Sequence, residues 1–432
     1  MSQSKPKILI VHNYYQIPGG EDTVVKNEKK LLEAAGHQVV LYARNNAELK
    51  NCSKWRKLLL PFTAIYSFRT VREVKKLIRE NGIDLVHVHN TLTMVSPSVY
   101  YAAFQCKVPV IQTLHNFRML CPQGSLFREN TVCEQCIHGG LKCAIRHSCY
   151  RDSKAQTIVS AAILWVHRRL GTYRKINYIC LTEFNKEKIL QLNAGGKKII
   201  DPERIYIKPN FTYQAGLEDT QTAVQESNQI RGDVQESNQT KGDVQAGAHA
   251  GYFMYAGRLE ALKGVDLLVE AFAQMPEEQL VVVGDGPMAE QLNSYVEEQQ
   301  CRNITFTGRL QGSDYIEQLR HAKALVVTSQ CYETFGMTIA EGFAYGVPAI
   351  VGDIGNIKSM VTDGVNGIRF AYNSKEALAE AVERFYSKDL TMLQKNARAY
   401  YEKHLKPEAN YRILSEIYNS VLEHANGKGQ QK

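Results

Sequence analysis

The segment KALVVTSQCYETFGMTIAEGFAYGVPAIVGD (Lys323–Asp353) carries a strand–helix–strand pattern. KALVVTS and PAIVGD are short apolar runs rich in β-branched residues, which is typical of strands that are buried on both faces. The intervening GMTIAEGFAY predicts a short helix, and Gly346 followed by Pro348 is a signal for its end. Because strand–helix–strand units build parallel sheets, this segment predicts an α/β domain.

Similar short apolar runs alternate with helical patterns over most of the chain. Six such runs occur before residue 213, and six more occur from Tyr252 onward. The alternation predicts an α/β fold of two Rossmann-like, doubly wound domains. Ligands of such sheets bind outside the carboxyl ends of the strands, so we expect the active site in a cleft between the two domains.

The chain divides into four predicted parts. Residues 1–212 form an N-terminal domain and residues 251–405 a C-terminal domain. Residues 213–250 contain the polar repeat VQESNQIRGD/VQESNQTKGD, whose composition cannot build a core and predicts a flexible linker. Residues 406–432 predict a final helix that can pack back on the N-terminal domain.

The charge of the chain is unevenly distributed. Residues 1–210 have a net charge of +17, whereas the remainder has a net charge of −9. No apolar run reaches the roughly 18 residues that a membrane-spanning helix needs, and the first residues lack the pattern of a signal peptide. We therefore expect a cytoplasmic protein whose two domains meet different partners.

Two basic segments of the first domain also contain aromatic residues. Lys50–Glu80 has nine basic residues among Trp, Phe, Tyr and Leu, and Leu164–Lys175 repeats the mixture. The combination suits an anionic membrane surface, and it is also compatible with a solvated helix face that has an apolar inner side. No nucleic-acid-binding motif accompanies the charge, so we expect no nucleic acid partner.

The acids of the opening segment fall at different places of the predicted unit. Glu333 lies in the loop after the strand, and Gly336, Met337 and Thr338 form the helix N-terminus, whose free amides suit a phosphate. Glu341 projects about one turn later from an apolar face, where a carboxylate needs a partner. A ribose diol would supply one.

Two cations follow another predicted strand. YAGRLEALKG places Arg258 and Lys263 five residues apart in one strand-to-helix loop, where they suit a diphosphate, although most such cations are surface charges. Near the N-terminus, Gly19-Gly20 follows the first strand and precedes a helix. This pair is not the G-x-G-x-x-G fingerprint, which counts against a dehydrogenase.

Taken together, these motifs resemble one enzyme family. The Gly19-Gly20 pair, GRLEALKG, VVVGDGP, ITFTGRL and ETFGMTIAEGFAYGVPAI resemble the retaining glycosyltransferases of the GT-B architecture in family 4, the glycosyl transferases group 1. The resemblance implies an acceptor-binding first domain and a second domain that binds a UDP- or GDP-linked sugar. It further implies an acceptor that is a lipid-linked oligosaccharide or polysaccharide, with the enzyme peripheral on the inner face of the cytoplasmic membrane.

The resemblance also assigns roles to individual residues. Arg258 and Lys263 would hold the donor diphosphate, Glu333 would contact the donor sugar, and His115, in TLHNF, would be the cleft histidine. The remaining donor-binding residues are assigned to phosphate, base or ribose contacts, and they are Gly20, Gly308, Arg309, Leu310, Gly336, Met337, Thr338 and Glu341.

The chemistry of such an enzyme agrees with these residue types. The growing charge of a nucleoside diphosphate leaving group needs cations and helix amides. The sequence contains no D-x-D, so catalysis is expected to require no cofactor. Alternatives are a non-catalytic nucleotide-sugar-binding or scaffold protein, and an epimerase or phosphorylase on a similar scaffold.

An insert at residues 118–152 holds five of the ten cysteines. In a cytoplasmic protein, a C-x-x-C with further cysteines nearby favours metal over disulfide. The resemblance to family members with a similar insert implies Cys121, Cys133, Cys136 and Cys149 as ligands of a structural zinc. Free thiols and an iron–sulfur or redox role are the alternatives.

Overall fold

A computed structural model of the chain describes residues 5–16, 19–49, 52–213 and 251–427. It contains two α/β domains, each built on a six-stranded parallel sheet, which confirms the predicted fold class. The predicted linker, residues 213–250, lies outside the described residues except for its first residue.

The first sheet has the strand order β2-β1-β3-β4-β7-β8. Its strands are β1 (Ile8–Tyr14), β2 (Val39–Asn45), β3 (Leu85–Val88), β4 (Val110–Leu114), β7 (Asn177–Cys180) and β8 (Ile205–Ile207), and a hairpin of β5 (Phe127–Arg128) and β6 (Thr131–Val132) lies outside it. The helices of this domain are Gly20–Ala34, Lys54–Ile65, Phe68–Asn81, Ser98–Gln105, Gln135–Gly139, Lys142–Arg146, Lys154–Arg169 and Glu183–Leu190.

The second sheet has the strand order β11-β10-β9-β12-β13-β14. Its strands are β9 (Tyr252–Ala256), β10 (Leu280–Val283), β11 (Ile304–Gly308), β12 (Ala322–Val327), β13 (Ala349–Gly352) and β14 (Gly367–Phe370). Its helices are Val265–Ala273, Ala289–Glu298, Gly312–Arg320, Met337–Ala344, Ile357–Met360, Lys375–Tyr386 and Leu390–Tyr400.

The strands form because their apolar residues are buried on both faces of each sheet. Residues 8–11 of β1 are fully buried, and so are all four residues of β13. Both sheets have central strands covered by helices, and such strands require continuous rather than alternating apolar sequence. This requirement explains why the short runs predicted the strands well.

The last helix, Pro407–Gly427, packs on the first domain although it follows the second. The Tyr418 hydroxyl lies 2.7 Å from Nδ1 of His87, and the Lys208 ammonium donates to Asn410 Oδ1 at 3.1 Å. Leu414 and Val421 are buried against strands of the first sheet. The final helix therefore ties the two domains together.

Candidate functional site

The N-terminal end of the helix Met337–Ala344 lies between Glu333 and Glu341. Gly336 is its N-cap with φ +101°, in the left-handed region that favours glycine. Gly336 has no side chain with which to cap the helix, so within the described part of the chain the amides of its first turn are left for a ligand. The helix follows β12, as the sequence predicts for the strand-to-helix loop.

Lys263 and Glu333 form an ion pair at this helix end. Nζ of Lys263 lies 2.5 Å from Oε1 of Glu333, and the Ser329 hydroxyl donates to the same oxygen at 2.6 Å. The two residues are 70 positions apart in the chain, but β9 and β12 are neighbours in the sheet, and the loops after them meet at the carboxyl edge. The side chains of Lys263 and Glu333 are only 27% and 19% exposed, so solvent screens the pair weakly.

The ion pair controls the charge of both groups. Burial raises the pKa of Glu333, but the Lys263 charge and the hydrogen bonds from Lys263 and Ser329 outweigh burial, and the pKa lies below its ordinary value. Burial lowers the pKa of Lys263, and the Glu333 carboxylate more than reverses that effect. Glu333 is therefore an anion and an acceptor at neutral pH, and it cannot donate a proton there.

Lys263 is held in place by the glycine that follows it. Gly264 has φ +62°, and a Cβ at this position would lie 2.2 Å from the Thr328 carbonyl oxygen at the end of β12. The Thr328 hydroxyl donates to the Lys263 carbonyl at 3.0 Å. Only glycine lets the loop approach β12 this closely, and this approach brings Lys263 to Glu333.

Arg258, in the same loop, is more accessible than Lys263. Its side chain is 51% exposed, and Nε lies 3.4 Å from Oε2 of Glu260. The Tyr255 hydroxyl donates to the Arg258 carbonyl at 3.0 Å and anchors the backbone. The guanidinium is thus a weakly held cation in the loop that also carries Lys263.

Glu341 has a partner inside the second domain. The Tyr315 hydroxyl donates to Oε2 of Glu341 at 2.7 Å. Burial raises the pKa of Glu341, and the Tyr315 hydrogen bond offsets only part of that effect. A partly buried carboxylate with one hydrogen bond retains free acceptor capacity, which suits a diol.

The loop after β11 contains the other predicted donor-binding residues. Gly308 ends the strand with φ +71°, Arg309 is exposed and Leu310 is half-buried. The Gly284 amide donates to the Gly308 carbonyl at 2.8 Å, which joins the ends of β10 and β11. Tyr315, the partner of Glu341, lies in the helix that follows this loop.

The first domain approaches the site from the opposite side. A Cβ on Gly20 would lie 3.9 Å from Cγ of Met337, in the first turn of the second domain's helix. The Thr334 hydroxyl donates to the His115 carbonyl at 2.9 Å, and the Asn185 amide donates to the Thr334 carbonyl at 2.7 Å. The predicted residues Gly20 and His115 therefore face the helix end across the domain boundary.

The cysteine insert lies directly after His115 in the chain. A hydrogen bond with the Cys136 thiol lowers the pKa of Cys121 to about 6. Burial and the charges of Cys121 and Cys133 raise the pKa of Cys149, which places all four predicted ligands in one region. Among the described residues, sets of three potential ligand atoms within 4.8 Å of one another occur at Glu28–His87–His89 and His12–Glu21–Asp22, and neither set includes a cysteine.

The sequence did not reveal several side chains that hold the predicted residues. Ser329 and Tyr315 bind the two carboxylates, and Gln330 donates through its amide to the Thr328 carbonyl at 2.9 Å beside Gly264. Ser329 could have been found, because it is four residues before Glu333 at the end of a predicted strand. Tyr315 had no such signal, since it comes from a separate helix.

Two family models match the sequence, one in each domain. Residues 18–211 match the model described as Glycosyltransferase Family 4, and residues 240–404 match the model described as Glycosyl transferases group 1. The boundary between the matches falls on the segment that the sequence predicts to be a linker. The two matches together span most of the chain.

Full-length relatives are distant in sequence. The chain is 22% identical over 436 residues to an alpha-monoglucosyldiacylglycerol synthase of Acholeplasma laidlawii, covering 97% of this chain and 98% of that protein. A sucrose-phosphate synthase from Thermosynechococcus elongatus superposes with a TM-score of 0.65 at 18% identity, covering 97% and 100% of the two chains. The Anabaena protein HepE in complex with UDP superposes with a TM-score of 0.62 at 17% identity, covering 96% and 100%. These superpositions confirm the predicted GT-B arrangement of the two domains.

Proposed function

Because the chain belongs to the glycosyl transferases group 1 family of GT-B enzymes, we propose that it moves a sugar from a nucleotide-sugar donor to a lipid-linked glycan with retention of configuration. The observation that carries the proposal is the Lys263–Glu333 pair at an uncapped helix end. A cation, a carboxylate and free helix amides lie together there, and these groups can bind a diphosphate and a sugar hydroxyl.

The donor would lie along this edge of the second domain. Arg258, Lys263 and the amides of Gly336–Thr338 would neutralise the diphosphate as it leaves. Glu333 would accept a hydrogen bond from a sugar hydroxyl, and Glu341 would accept from the ribose. A solved protein with the same fold, HepE, was determined in complex with UDP, which supports uridine as the nucleoside of the donor.

A thermal-shift screen of UDP- and GDP-sugars tests the proposal, and product analysis with the stabilising donor completes it. A ligand present at 100 times its Kd stabilises a protein by about 2.7 kcal/mol, which is readily detected. Failure of every nucleotide sugar to stabilise the protein would contradict the proposal. Stabilisation without transfer would instead support a non-catalytic binding protein.

The first domain presents a surface that suits a membrane-bound acceptor. Four aromatic side chains are largely exposed on helices of this domain, at 73% for Trp55, 70% for Phe62, 82% for Phe68 and 63% for Trp165. Phe68 also lines a groove of about 470 Å³, together with Val71, Glu80 and the cations Arg72, Lys75, Lys76 and Arg79. Exposed aromatic residues beside cations match the interfacial region of an anionic bilayer.

No helix of the described residues combines the length and apolarity needed to cross a bilayer. We propose that the aromatic surface at Trp55, Phe62, Phe68 and Trp165 instead holds the enzyme on the inner face of the cytoplasmic membrane. A relative of matching length is named for the synthesis of a glucosylated diacylglycerol, which supports a lipid-linked acceptor.

Trp55→Ser combined with Phe62→Ser is expected to weaken binding to vesicles containing phosphatidylserine by about tenfold or more, because two large apolar side chains no longer insert. Co-sedimentation measures the partition coefficient. The matched control is Met392→Ser, which removes a 46% exposed apolar side chain from the second domain. Equal binding of wild type and double variant would contradict membrane contact through this surface.

We also propose that the cysteine insert binds one structural metal ion through Cys121, Cys133, Cys136 and Cys149. Burial and the charges of Cys121 and Cys133 raise the pKa of Cys149, so these thiols are costly to ionise together, and a bound cation removes that cost. All ten cysteines are free, so no disulfide competes for these thiols.

Replacing both Cys133 and Cys136 by Ser is expected to remove one metal ion per chain and to lower the thermal stability of the protein. Native mass spectrometry measures the metal content, and the Cys301→Ser variant, altered in the second domain, is the control. A correctly folded wild-type protein without metal, prepared in metal-supplemented medium, would contradict the proposal.

A further inference from the structure

A row of buried polar side chains extends behind His115 into the first domain. The rings of His89 and His115 stack with centroids 5.2 Å apart and an interplanar angle of 15°. Nδ1 of His89 lies 2.9 Å from Nε2 of His115, which is hydrogen-bonding distance. His89 follows β3 and His115 follows β4, so neighbouring strands bring the two rings together.

The row continues from His89 to a buried carboxylate. Nε2 of His89 lies 3.4 Å from Oε1 of Glu28, at the outer limit of a hydrogen bond, and has no hydrogen-bond partner among the described residues. The same carboxylate oxygen lies 2.9 Å from Nδ1 of His87. Oε2 of Glu28 lies 3.0 Å from Nζ of Lys208. Glu28, His89 and Lys208 are all shielded from solvent, with Glu28 and Lys208 fully buried.

The charges in the row are defined by this environment. Burial raises the pKa of Glu28, but the charges of Lys208 and His87 outweigh it and hold the pKa well below its ordinary value. Burial lowers the pKa of His89 to about 4 and that of His115 well below its ordinary value. Glu28 is therefore an anion at neutral pH, and both imidazoles are neutral, with one N–H each.

These contacts determine which nitrogen carries each proton. A lone pair on Nε2 of His89 would be repelled by the carboxylate of Glu28, so the proton of His89 lies on Nε2. Nδ1 of His89 is then an acceptor, and the 2.9 Å contact requires His115 to donate from its own Nε2. Nδ1 of His115 consequently has no proton, and it has no partner among the described residues.

The same cluster is not a cation site. Glu28, His87 and His89 have ligand atoms within 4.8 Å of one another, as a metal would require. The Lys208 ammonium already contacts the carboxylate, however, and it donates to Asn410 Oδ1 at 3.1 Å. A divalent ion would have to be buried beside this ammonium, which electrostatic repulsion disfavours.

We propose that Glu28 is a positioning residue for the transfer reaction: acting through His89, it holds His115 in the tautomer whose Nδ1 accepts a hydrogen bond from a substrate hydroxyl. The inference rests on the proposed glycosyl transfer, since the hydroxyl belongs to the donor sugar or to the acceptor. His115 is partly exposed at the domain boundary, where either hydroxyl can reach it.

Nitrogen NMR of the wild-type protein labelled with ¹⁵N-histidine tests the tautomer without any measurement of activity. The His115 signals are assigned by their loss in His115→Gln. We expect the shift of an unprotonated nitrogen at Nδ1 and of a protonated nitrogen at Nε2. A proton on Nδ1 would overturn the proposal, whether or not the enzyme transfers sugar.

Substrate additions to the same sample distinguish the two sources of the hydroxyl. A change of the Nδ1 shift on addition of the stabilising nucleotide sugar assigns the hydroxyl to the donor. A change that requires the acceptor assigns it to the acceptor. If Nδ1 responds to neither substrate while a nucleotide sugar still binds, the proposal is wrong and the proposed function stands.

Glu28→Gln is expected to lower kcat by about tenfold with little change in the KM of the donor, because the amide can donate to His89 and reverse the tautomers. In a His115→Gln background the same change should cost no further activity. Tyr418→Phe is the control, since its hydroxyl contacts His87 in the same cluster but lies off the path to His115.

A comparison of two variants would reveal whether Glu28 has a merely structural role. Equal losses of kcat in Glu28→Gln and Tyr418→Phe, with the His115 tautomer unchanged in both, would overturn the proposal. If Glu28→Gln does not fold, the wild-type tautomer still decides the question.

Discussion

Glu333→Gln is expected to lower kcat by about two orders of magnitude, the loss typical when a substrate-orienting charged contact is removed. Glutamine has the length of glutamate and can still accept from Ser329, which donates to Glu333 at 2.6 Å. It lacks the charge that balances Lys263, so both the sugar contact and the position of the ammonium change. Steady-state kinetics with the donor identified by thermal shift measures the effect.

The matched control for this change is Glu317→Gln. Glu317 is a 66% exposed carboxylate in the same domain, and its variant should keep the wild-type kcat. A Glu333→Gln enzyme with near-normal kcat would contradict the assignment of Glu333 to the sugar. A variant that loses nucleotide binding as well would place Glu333 at the diphosphate instead.

The fold could be predicted because its signals are local. Each buried strand is a short apolar run, and the run from Ala322 to Val327 is followed by a glycine at a helix N-terminus and by a helix-stop signal. Such patterns require no knowledge of distant contacts. The small hairpin of β5 and β6 in the cysteine insert was missed, because two-residue strands carry no periodicity.

The proximity of the candidate site residues could be predicted only where those residues lie at strand ends. Glu333, Lys263 and His115 each follow an apolar run, and parallel topology brings such positions to one edge. The partners that determine their charge come from elsewhere in the chain, as Tyr315 does for Glu341. A partner of this kind is defined by tertiary packing alone.

The contacts in the row from Glu28 to His115 were even harder to predict from the sequence. Glu28 lies on a helix whose sequence, DTVVKNEKKLLEAAG, predicts an exposed acid as readily as a buried one. Its partner Lys208 is 180 positions away and lies at the end of β8. Two charges so far apart in sequence are paired only by the strand order of the sheet.

Lys263→Ala is expected to weaken the binding of the nucleoside diphosphate by roughly 10- to 100-fold, which corresponds to the 1.5–3 kcal/mol of a hydrogen bond to a charged group. Isothermal calorimetry with UDP and GDP measures the affinity. Arg258→Ala should have a smaller effect, because its side chain is 51% exposed and its charge is better screened. Lys358→Ala, a 50% exposed cation of the same domain, is the control.

The loss in Lys263→Ala has two parts, and a double variant separates them. Removing Lys263 takes a cation from the diphosphate and also leaves Glu333 buried without its counter-charge, so that its carboxylate repels the ligand. Without Lys263, burial raises the pKa of Glu333. The affinity of Lys263→Ala for the diphosphate should therefore improve as the pH falls and the carboxyl becomes protonated.

Adding Glu333→Gln to Lys263→Ala removes the unpaired charge, so the double variant should bind the diphosphate more tightly than Lys263→Ala alone. Unchanged affinity in Lys263→Ala would show that the lysine does not contact the diphosphate, and additive losses in the double variant would show that the ion pair does not shape the donor site.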